Sequence, residues 1–521
     1  MFRHELPAVL VITLTLPFAI LTDRAEAQPC VEITDPQPLN SNAYDDGDHD
    51  RRPHFATDGE GTWIAVWYID DLDGGPDSID ADILYARSTD GGLTWSVPQY
   101  LNTNAPTDSG DDICPHVASD GMGNWIVAWS SRDDLGGQVG IDSDLLFARS
   151  TDNGVTWTDP RPLNIDAPDD VRGDECPRLA NDREGNWITV WAARVPRPGV
   201  RIGPHVLFYA RSSNTGATWS MPHRIPGGIH AFSPKIATNG LGNWLIVCVS
   251  VADGDFDILF SMSQDNGRRW SVAQPLNTNA ASDSGDDSSA EMASDGNGNW
   301  IVVWNSTEDL NGTIGTDLDI LFSRSSDGGS SWSDPEALNS NASSDDPNSP
   351  FCRETFPQIA TDRIGNWVAV WNSPDDLGGT AGSDYDILFS HSMDNGANWT
   401  PARPIDINAE TDDSNDGLPR LATDGSGDWI VAWESWNDLG GTIGDDMDIL
   451  FSQLHLLAGE CVCLADFDGD FFVGPHDLAL LLGDWGLCSP NTECPADLDV
   501  DGIVGAEDLN LLLQQWGPCP I

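Results

Sequence analysis

Seven residues of very different chemistry occupy one repeated position in this chain. Each precedes an apolar residue and an alanine, in a segment that changes little from copy to copy. The seven are His54, His116, Arg178, Lys235, Glu291, Gln358 and Arg420. Arginine binds anionic oxygens through paired hydrogen bonds, so this column predicts a ring that binds the carboxylate or sulfate of an acidic sugar. The alternative is that these side chains fill space between repeats or pair with loop carboxylates.

Two loops near the C-terminus carry a second set of chemically suited residues. Each loop has carboxylates at positions 1, 3, 5 and 12, the spacing with which EF-hand-like loops surround Ca²⁺ with oxygen ligands. An apolar helix is predicted after each loop, at Leu478–Trp485 and Leu509–Trp516, and Phe471 replaces the glycine usual at position six of the first loop. The predicted calcium ligands are Asp466, Asp468, Asp470, Asp477, Asp497, Asp499, Asp501 and Asp508.

The column belongs to a repeating unit of four short segments. The column segment is followed by an apolar stretch that begins with Trp, by Asp-Ile-Leu-Phe-Ser, and by Pro-x-x-Leu-Asn. Four β-rich runs bounded by Gly, Asp, Asn and Pro predict a four-stranded antiparallel blade. The apolar stretch occurs seven times, beginning at Trp63, Trp125, Trp187, Trp244, Trp300, Trp367 and Trp429. The sequence therefore predicts an all-β protein, a seven-bladed propeller followed by a small α-helical module.

The two ends of the repeat array are predicted to meet. The last unit stops after its third segment, and Pro38–Asn40 supplies a fourth segment at the other end of the array. Pairing of the two would close the ring and leave no open sheet edge. Because strand direction alternates, the long acidic loops share one face of the ring, and the column is expected near that end of the innermost strand. These loops are either a solvated acidic rim or weak Ca²⁺ sites.

The chain divides into three predicted parts. Residues 1–27 combine a charged start, the apolar stretch Ala8–Leu21 and Ala25-Glu26-Ala27, which is typical of a secretory signal peptide. Residues 28–457 are the predicted propeller and residues 458–521 the C-terminal module. We therefore expect a secreted or cell-surface protein without a transmembrane segment.

Charge and cysteine content limit the partners and the compartment. The chain has 84 acidic against 24 basic residues, which argues against nucleic acid as a partner and favours divalent cations or a salty habitat. Its ten cysteines fit an oxidising compartment. Cys114 and Cys176 stand at equivalent positions of consecutive repeats and are candidates for a bridge between blades. Cys30 is a candidate partner for Cys461 or Cys463 at the ring closure, and Cys248 is predicted to be free and buried.

Six turn phrases of the form Ser-x-Asp-x-Gly-x-x-Trp resemble the Asp-boxes of sialidases and related propellers. In the family, the box is the turn between the third and fourth strands. The Asp side chain caps backbone N–H groups, Gly supplies a left-handed conformation, and Trp is expected to pack into its blade, so the boxes are predicted to be structural. Asn214 replaces Asp in the third copy. The six copies are Ser88–Trp95, Ser150–Trp157, Ser212–Trp219, Ser263–Trp270, Ser325–Trp332 and Ser392–Trp399.

The sialidase resemblance implies three arginines, a Tyr–Glu nucleophile pair and an Asp acid/base. Arg178 and Arg420, with Arg353, match the arginines in type. No Tyr lies on a predicted inner strand, and the Arg-Ile-Pro sequence at Arg224 lies in the middle of the chain. These departures argue against a sialidase mechanism. Glu291 with an acidic loop residue is a candidate acid pair for a different hydrolase.

The C-terminal loops and helices, from Cys461 onward, resemble a type I dockerin. The resemblance implies calcium-dependent folding and a cohesin-like or cell-surface partner. Dockerins usually contact cohesin through hydroxyl residues at loop positions ten and eleven, where this chain has Pro475-His476 and Ala506-Glu507. The module is therefore predicted to be a calcium-dependent attachment module whose partner need not be cohesin.

The sequence thus predicts a secreted propeller that binds a glycan or protein ligand and is attached or assembled through its C-terminal module. The alternative is a sialidase-like or other glycoside hydrolase that acts on acidic polysaccharides. The sequence favours binding over catalysis, because no complete catalytic set is found.

Overall fold

The computed structural model describes residues 29–44, 47, 49–70, 80–105, 110–140, 142–196, 203–252, 254–280, 285–343, 354–377, 380–382, 384–406, 409, 414–444, 446–460, 465, 467, 472–488, 494–498, 502–514 and 517–518. Two compact units are present, one of residues 32–455 and one of residues 1–31 with 456–521. Among the described residues, no helix is long and apolar enough to cross a membrane. The predicted signal peptide, the Cys30, Cys461 and Cys463 side chains and Arg353 lie outside the described residues.

The described strands of residues 32–455 form seven antiparallel blades, which confirms the predicted seven-bladed propeller. The chain begins with β1 Pro29–Ile33 and β2 Gln37–Pro38. Blades one and two are β3 His49–Thr57, β4 Trp63–Asp70, β5 Asp82–Ser88, β6 Gln99–Tyr100, and β7 Asp112–Ser119, β8 Trp125–Ser131, β9 Asp144–Ser150, β10 Arg161–Pro162. Blades three and four are β11 Gly173–Asn181, β12 Trp187–Arg194, β13 His205–Ser212, β14 His223–Ile229, and β15 Ala231–Thr238, β16 Trp244–Ala252, β17 Asp255–Ser263, β18 Gln274–Pro275. Blades five and six are β19 Asp287–Ser294, β20 Trp300–Ser306, β21 Asp319–Ser325, β22 Glu336–Ala337, and β23 Thr355–Thr361, β24 Trp367–Ser373, β25 Asp386–Ser392, β26 Arg403–Pro404. Blade seven is β27 Asp416–Thr423, β28 Asp428–Ser435 and β29 Asp448–Glu460, with β2.

The ring closes through the N-terminal segment, as predicted. Strand β2 pairs with β29, with Gln37 opposite Phe451 and Pro38 opposite Leu450. Asn40 strengthens the closure, because its side-chain amide donates a hydrogen bond to Asp448 at 2.8 Å. Strand β1 also pairs with β29, a contact that the repeat pattern does not predict.

The second strand of every blade forms the core. In blade two, β8 is buried at every position from Trp125 to Ser131. Because a middle strand is covered by a neighbouring blade on each face, its sequence is a continuous apolar run without alternation. Trp63 and Trp67 of β4 are likewise fully enclosed. This packing fixes the inner strands, which carry the column residues.

The Ser and Asp side chains of the turn phrases form hydrogen bonds within their own turns, which confirms their structural role. In the first, Asp90 accepts hydrogen bonds from the backbone N–H and the hydroxyl of Thr94, at 3.0 and 2.6 Å, and Ser88 Oγ accepts from the N–H of Gly92 at 3.0 Å. In the second, hydrogen bonds, first that from the Thr156 hydroxyl, lower the pKa of Asp152 to about 2. Each carboxylate is thus committed to its own turn.

The phrase tryptophans pack differently from the prediction. Each was expected to pack into its own blade, but its ring contacts an aromatic ring on the third strand of the preceding blade, edge-on, at 5.7–6.1 Å between centroids. The pairs are Trp95–Phe451, Trp157–Tyr85, Trp219–Phe147, Trp270–Tyr209, Trp332–Phe260 and Trp399–Phe322. The phrases therefore join blades as well as forming turns.

The C-terminal residues form a small duplicated module. Helix α1 spans Pro475–Gly483 and α2 spans Ala506–Gln514. Strand β30 Phe472–Val473 pairs with β33 Gly517–Pro518, and β31 Gly486–Leu487 pairs with β32 Ile503–Val504. A disulfide joins Cys488 to Cys494. The shared core contains Ala465, Val473, Leu481, Ala496, Val504 and Leu512. The two short helices follow the predicted loops, whereas the dockerin resemblance and its calcium remain predictions.

Candidate functional site

The seven column residues converge on a single cavity. All seven column residues line a space of about 130 Å³. The apolar side chains of Ile236, Ile359 and Leu421 complete its lining. The sequence predicted that the column lies near the acidic-loop end of the innermost strand, and this prediction is wrong. His54 stands three residues before the end of β3 at Thr57, and Arg420 stands three residues before the end of β27 at Thr423. The site is therefore deeper along the strand.

A β-bulge precedes the column residue in every inner strand. The pairing register changes just before each column residue, for example between Arg51 and His54. The residue two before each column position has φ between 48° and 57°. A bulge bends the strand and redirects its side chains. The one sequence signal is the Pro before most column residues, which fits where the ladder is interrupted. The bulge residues are Arg52, Cys114, Cys176, Ser233, Ser289, Phe356 and Leu418.

The disulfide between Cys114 and Cys176 joins two of these bulges. Its Cα atoms are 5.2 Å apart, and it links β7 to β11 in neighbouring blades. The bridge that the sequence offered as one alternative is therefore present. Cys248 is free and buried, as predicted. The bridge ties together the strands that carry His116 and Arg178.

His54 and His116 form a neutral pair at the cavity. Their rings lie 3.7 Å apart between centroids. The Nδ1 atoms accept hydrogen bonds from the next blade, His54 from Val117 N–H at 3.3 Å and His116 from Leu179 N–H at 3.4 Å. Burial lowers the pKa of both rings well below the ordinary value, and nearby positive charges add to the effect. Each neutral ring therefore carries its proton on Nε2, as a donor.

Lys235 and Glu291 form an ion pair between adjacent blades. The Lys235 ammonium donates a short hydrogen bond to Glu291 Oε2, and the two side chains are 17% and 19% exposed. Burial lowers the pKa of Lys235 to about 8, although the charge of Glu291 opposes the change. Lys235 is thus still protonated at pH 7. The carboxylate in the column is neutralised by this lysine.

Arg178 and Arg420 keep their charges without a carboxylate partner among the described residues. Each donates one hydrogen bond to the carbonyl before it in the chain, to Pro177 O at 3.0 Å and to Pro419 O at 2.9 Å. Burial and then the charge of Arg420 lower the pKa of Arg178 to about 10. A guanidinium has five N–H donors, so most remain for a ligand. Gln358 likewise donates to Pro357 O at 2.9 Å.

Glu434, which sequence reasoning missed, lies beside the cavity. This residue of β28 accepts a hydrogen bond from the Arg52 N–H at 2.5 Å. Burial raises its pKa, against the opposing effects of that hydrogen bond and of the charges of Arg51 and Arg420. An acidic residue in an otherwise apolar second strand was the signal that could have found it, since the equivalent residues are Ser130 in blade two and neutral elsewhere.

The column as a whole is positively charged at pH 7. Lys235, Arg178 and Arg420 supply three positive charges, and Glu291 supplies one negative charge, which leaves two positive charges in a chain of net charge −60. Concentrated positive charge with free N–H donors in an enclosed space can hold an anion.

The other sequence candidates lie away from the cavity or outside the described residues. Arg224 lies on outer strand β14, over the Phe208 ring at 5.5 Å, so the Arg-Ile-Pro sequence serves packing. Tyr85 and Tyr209 lie on third strands and contact phrase tryptophans.

Three of the eight predicted calcium ligands lie among the described residues. Two of them, Asp477 and Asp508, make equivalent hydrogen bonds in the two loops. Asp477 accepts hydrogen bonds from Phe467 N–H at 2.7 Å and Gly474 N–H at 2.8 Å. In the second loop, Asp508 accepts from Leu498 N–H at 2.7 Å and Gly505 N–H at 2.6 Å. Asp497 accepts from Gly502 N–H at 2.9 Å. The other five, Asp466, Asp468, Asp470, Asp499 and Asp501, lie outside the described residues.

Comparisons with known proteins show partial similarity. No family model matches the chain. A curated sialidase of Paraclostridium sordellii is 24% identical over 264 residues, which are 45% of this chain and 60% of that protein, so the match spans less than two thirds of the relative. A solved protein of unknown function from Dyadobacter fermentans aligns with a TM-score of 0.47 at 13% identity, over 82% of this chain and all of that chain. A Hadza microbial sialidase gives a TM-score of 0.46 at 16% identity, over 78% of this chain and 66% of that one. The fold assignment rests on the sheet topology above.

Proposed function

We propose that this protein is a secreted propeller that binds the carboxylate or sulfate group of an acidic glycan in the axial cavity. The observation that carries the proposal is the pair of enclosed guanidinium groups, Arg178 and Arg420, which lack a carboxylate partner among the described residues. Their free donors suit two-point hydrogen bonding to an anionic group. The Nε2 protons of His54 and His116 are further donors at the same cavity.

The size of the cavity favours an anionic group over a whole oligosaccharide. Pockets for drug-sized ligands occupy about 300–1,000 Å³, whereas this cavity occupies about 130 Å³. A carboxylate or sulfate with a few waters fits that volume. The rest of the glycan, or a protein that displays the acidic group, would then lie outside the cavity.

The alternative is a glycoside hydrolase, and Glu434 is the observation that favours it. Glycosidases commonly use two carboxyl groups, one of them with a raised pKa. Glu434 has a raised pKa, and Glu291 is the one carboxylate of the column. The ion pair of Glu291 with Lys235 and the hydrogen bond of Glu434 with Arg52 commit both groups, so we favour binding.

Calorimetry with the full chain tests the binding proposal. We expect a sulfated or uronic acid oligosaccharide to bind and its uncharged counterpart not to bind. Arg178→Ala should weaken binding by about 10–100-fold, the range of a lost charged hydrogen bond. Arg161→Ala, on the exposed outer strand β10, is the matched control and should bind as the native chain does. Equal binding of charged and neutral sugars, or of both variants and the native chain, would overturn the proposal.

Turnover assays separate the alternative. Sialosides and uronic acid glycosides are offered to the native chain and to Glu434→Gln. Release of sugar by the native chain that the substitution abolishes would replace binding with hydrolysis. We expect no turnover from either protein.

We further propose that the C-terminal module binds calcium and attaches the propeller to a partner or surface. The support is the matched Asp477 and Asp508 geometry in two loops that each precede a helix. We expect Ca²⁺ to raise the melting temperature of the module, measured by circular dichroism with and without chelator. Asp508→Asn should abolish the increase for its loop, whereas Asp484→Asn, exposed at the end of α1, should not. A melting curve that is insensitive to chelator would refute the calcium proposal.

A further inference from the structure

Buried Asp–Asn–Asp groups recur where one blade meets the next. Between blades two and three, Asn164 donates hydrogen bonds to Asp144 at 2.9 Å and to Asp174 at 2.8 Å. Asp144 begins β9, and Asp174 belongs to β11, so the amide bridges two blades. Equivalent bridges are made by Asn40, Asn102 and Asn277. An amide carries no charge, so the bridge itself does not neutralise the carboxylates that it joins.

The junction of blades two and three brings three carboxylates to one point. One oxygen each of Asp142, Asp144 and Asp170 lie within 4.8 Å of one another. Asp144 is 1% exposed, and its Oδ2 accepts no hydrogen bond among the described residues. Oδ2 of Asp142 is also buried and without a hydrogen bond. A buried carboxylate oxygen without a partner is costly, so a missing partner is indicated.

Arg172 is a cation that the chain itself supplies to this junction. Its guanidinium lies 2.6 Å from Asp166, 2.6 Å from Asp170 and 3.9 Å from Asp174, and it is 16% exposed. Five aspartates thus face one arginine, and Asp142 and Asp144 have no ion pair among the described residues. Asp142 and Asp144 are therefore the carboxylates of this junction that Arg172 does not pair with.

The equivalent junctions have the acidic residues without the arginine. Gly110 stands where blade three has Arg172, counted from the bridging Asn102. At the junction of blades five and six, Asp317 is 9% exposed, and neither of its carboxylate oxygens has a hydrogen-bond partner among the described residues. Among the described residues, one junction therefore contains an arginine at a place where another has Gly110, which indicates that this place attracts positive charge.

We propose that Asp142, Asp144 and Asp170 bind a Ca²⁺ ion between blades two and three, beside Arg172. All available ligands are hard oxygens, which suit Ca²⁺ with its six to eight oxygen ligands, partly from water and backbone carbonyls. Asp142 and Asp144 belong to blade two, and Asp170 to the connection into blade three. The ion therefore joins two blades, separately from the axial cavity and from the C-terminal loops.

Gly140 supports this arrangement sterically. A Cβ at this position would lie 2.6 Å from Asp142 Oδ1. The glycine lets the chain approach the carboxylate closely, and Gly-x-Asp-x-Asp recurs at Gly315, Gly382 and Gly444. The same spacing thus presents two carboxylates at several junctions.

Equilibrium dialysis of the full chain with ⁴⁵Ca²⁺ tests the proposal. We expect Asp142→Asn with Asp144→Asn to lower the number of bound ions by one and to lower the increase in melting temperature that Ca²⁺ causes. Asp169→Asn is the control, because Asp169 is the exposed neighbour of Asp170 and its substitution also removes a carboxylate from this connection. An unchanged number of bound ions in the double variant would overturn the proposal.

A second variant keeps the test decisive if the double variant does not fold. Arg172→Gln removes the built-in positive charge while retaining most of the side chain. With a cation site beside it, Ca²⁺ affinity there should increase about tenfold, since a like charge a few ångströms away has been removed. Unchanged calcium affinity in Arg172→Gln would also refute the site. Neither result depends on the axial cavity or the C-terminal module.

Discussion

The six turn phrases, which together form what we call the turn face, differ from the axial cavity in how far their polar groups are hydrogen-bonded. On the turn face, six phrases repeat one hydrogen-bond pattern, and Asp90 and its equivalents are satisfied within their own turns. In the cavity, seven equivalent positions carry five residue types, and Arg178 and Arg420 retain unused donors. Uniform repetition therefore marks structure, and variation within a constant frame marks the candidate site. Changes on the turn face should affect stability alone, and changes in the cavity should affect binding.

The Cys114–Cys176 bridge departs from this comparison, because it joins two strands that line the cavity but is expected to affect stability. Replacing both cysteines by serine should lower the free energy of unfolding by about 4 kcal/mol, as expected for a cross-link that closes a loop of this length. Denaturant unfolding of the variant and the native chain measures the change. An equal free energy of unfolding would show that the bridge does not constrain the blades.

Gly154→Ala should destabilise the turn face without affecting the cavity. A Cβ at this position would lie 2.2 Å from Ile64 Cδ1 of the preceding blade, and its φ is 76°. Strain and overpacking together should cost about 3 kcal/mol. Gly329→Ala is the matched control: its φ is 87°, but its nearest contact would be Met262 Cε at 3.5 Å, so about 1 kcal/mol is expected. Similar unfolding free energies for both variants would contradict the packing argument.

The histidine pair should make the cavity side sensitive to acid. Because the folded pKa values of His54 and His116 lie below 6.5, the unfolded chain binds protons first as the pH falls through 6.5. Stability is then lost below pH 6.5 by this pair, about 2 kcal/mol at pH 5.5. The double change to glutamine should remove that part of the loss. Melting temperatures from pH 7.5 to 5.5 measure it, and parallel curves would exclude the pair as the cause.

Deprotonation of Lys235 should have the smallest of these effects, a decrease in the affinity of the cavity for an anion. Its pKa of about 8 means that the cavity loses one positive charge as the pH rises from 7 to 9. Anion affinity should decrease by about fivefold over this range, since a neighbouring charge is lost. Lys235→Arg keeps its charge throughout and should bind equally at both values. A fivefold decrease in the arginine variant too would assign the pH dependence to another group.

Much of the fold could be predicted from the sequence, because every strand is copied several times. The Trp-initiated strand at Trp125 and its sister strands fixed the number of blades, and Pro38–Asn40 fixed the closure. Convergence of the column on one cavity was one of two interpretations that the sequence left open, the other being that these side chains fill space between repeats. Contacts between blades were not predictable in this way. The Trp157–Tyr85 packing and the bulge at Cys114 depend on distances that no single repeat encodes.

The seven column residues of the candidate site were predicted from the sequence, but the contacts among them were not. Lys235 and Glu291 were identified as members, but their ion pair requires two blades to be adjacent at the right height. Glu434 was missed because it comes from a second strand, outside the column. Arg172 was missed because it stands in a variable loop outside the repeated segments, although its aspartate neighbours Asp166 and Asp170 are close to it in the chain.

The pairing of β2 with β29 sets the order in which the molecule can be completed. Asn40 and Ile449, which form one of the closing contacts, are separated by 409 positions. A ribosome makes β2 long before its partner strand, so blade seven waits unfinished until almost the whole chain has been synthesised. A nascent chain interrupted before residue 448 would leave the edge of β28 without its partner strand, and the ring could not close. Biogenesis of this protein therefore depends on keeping that early segment available until the final blade arrives.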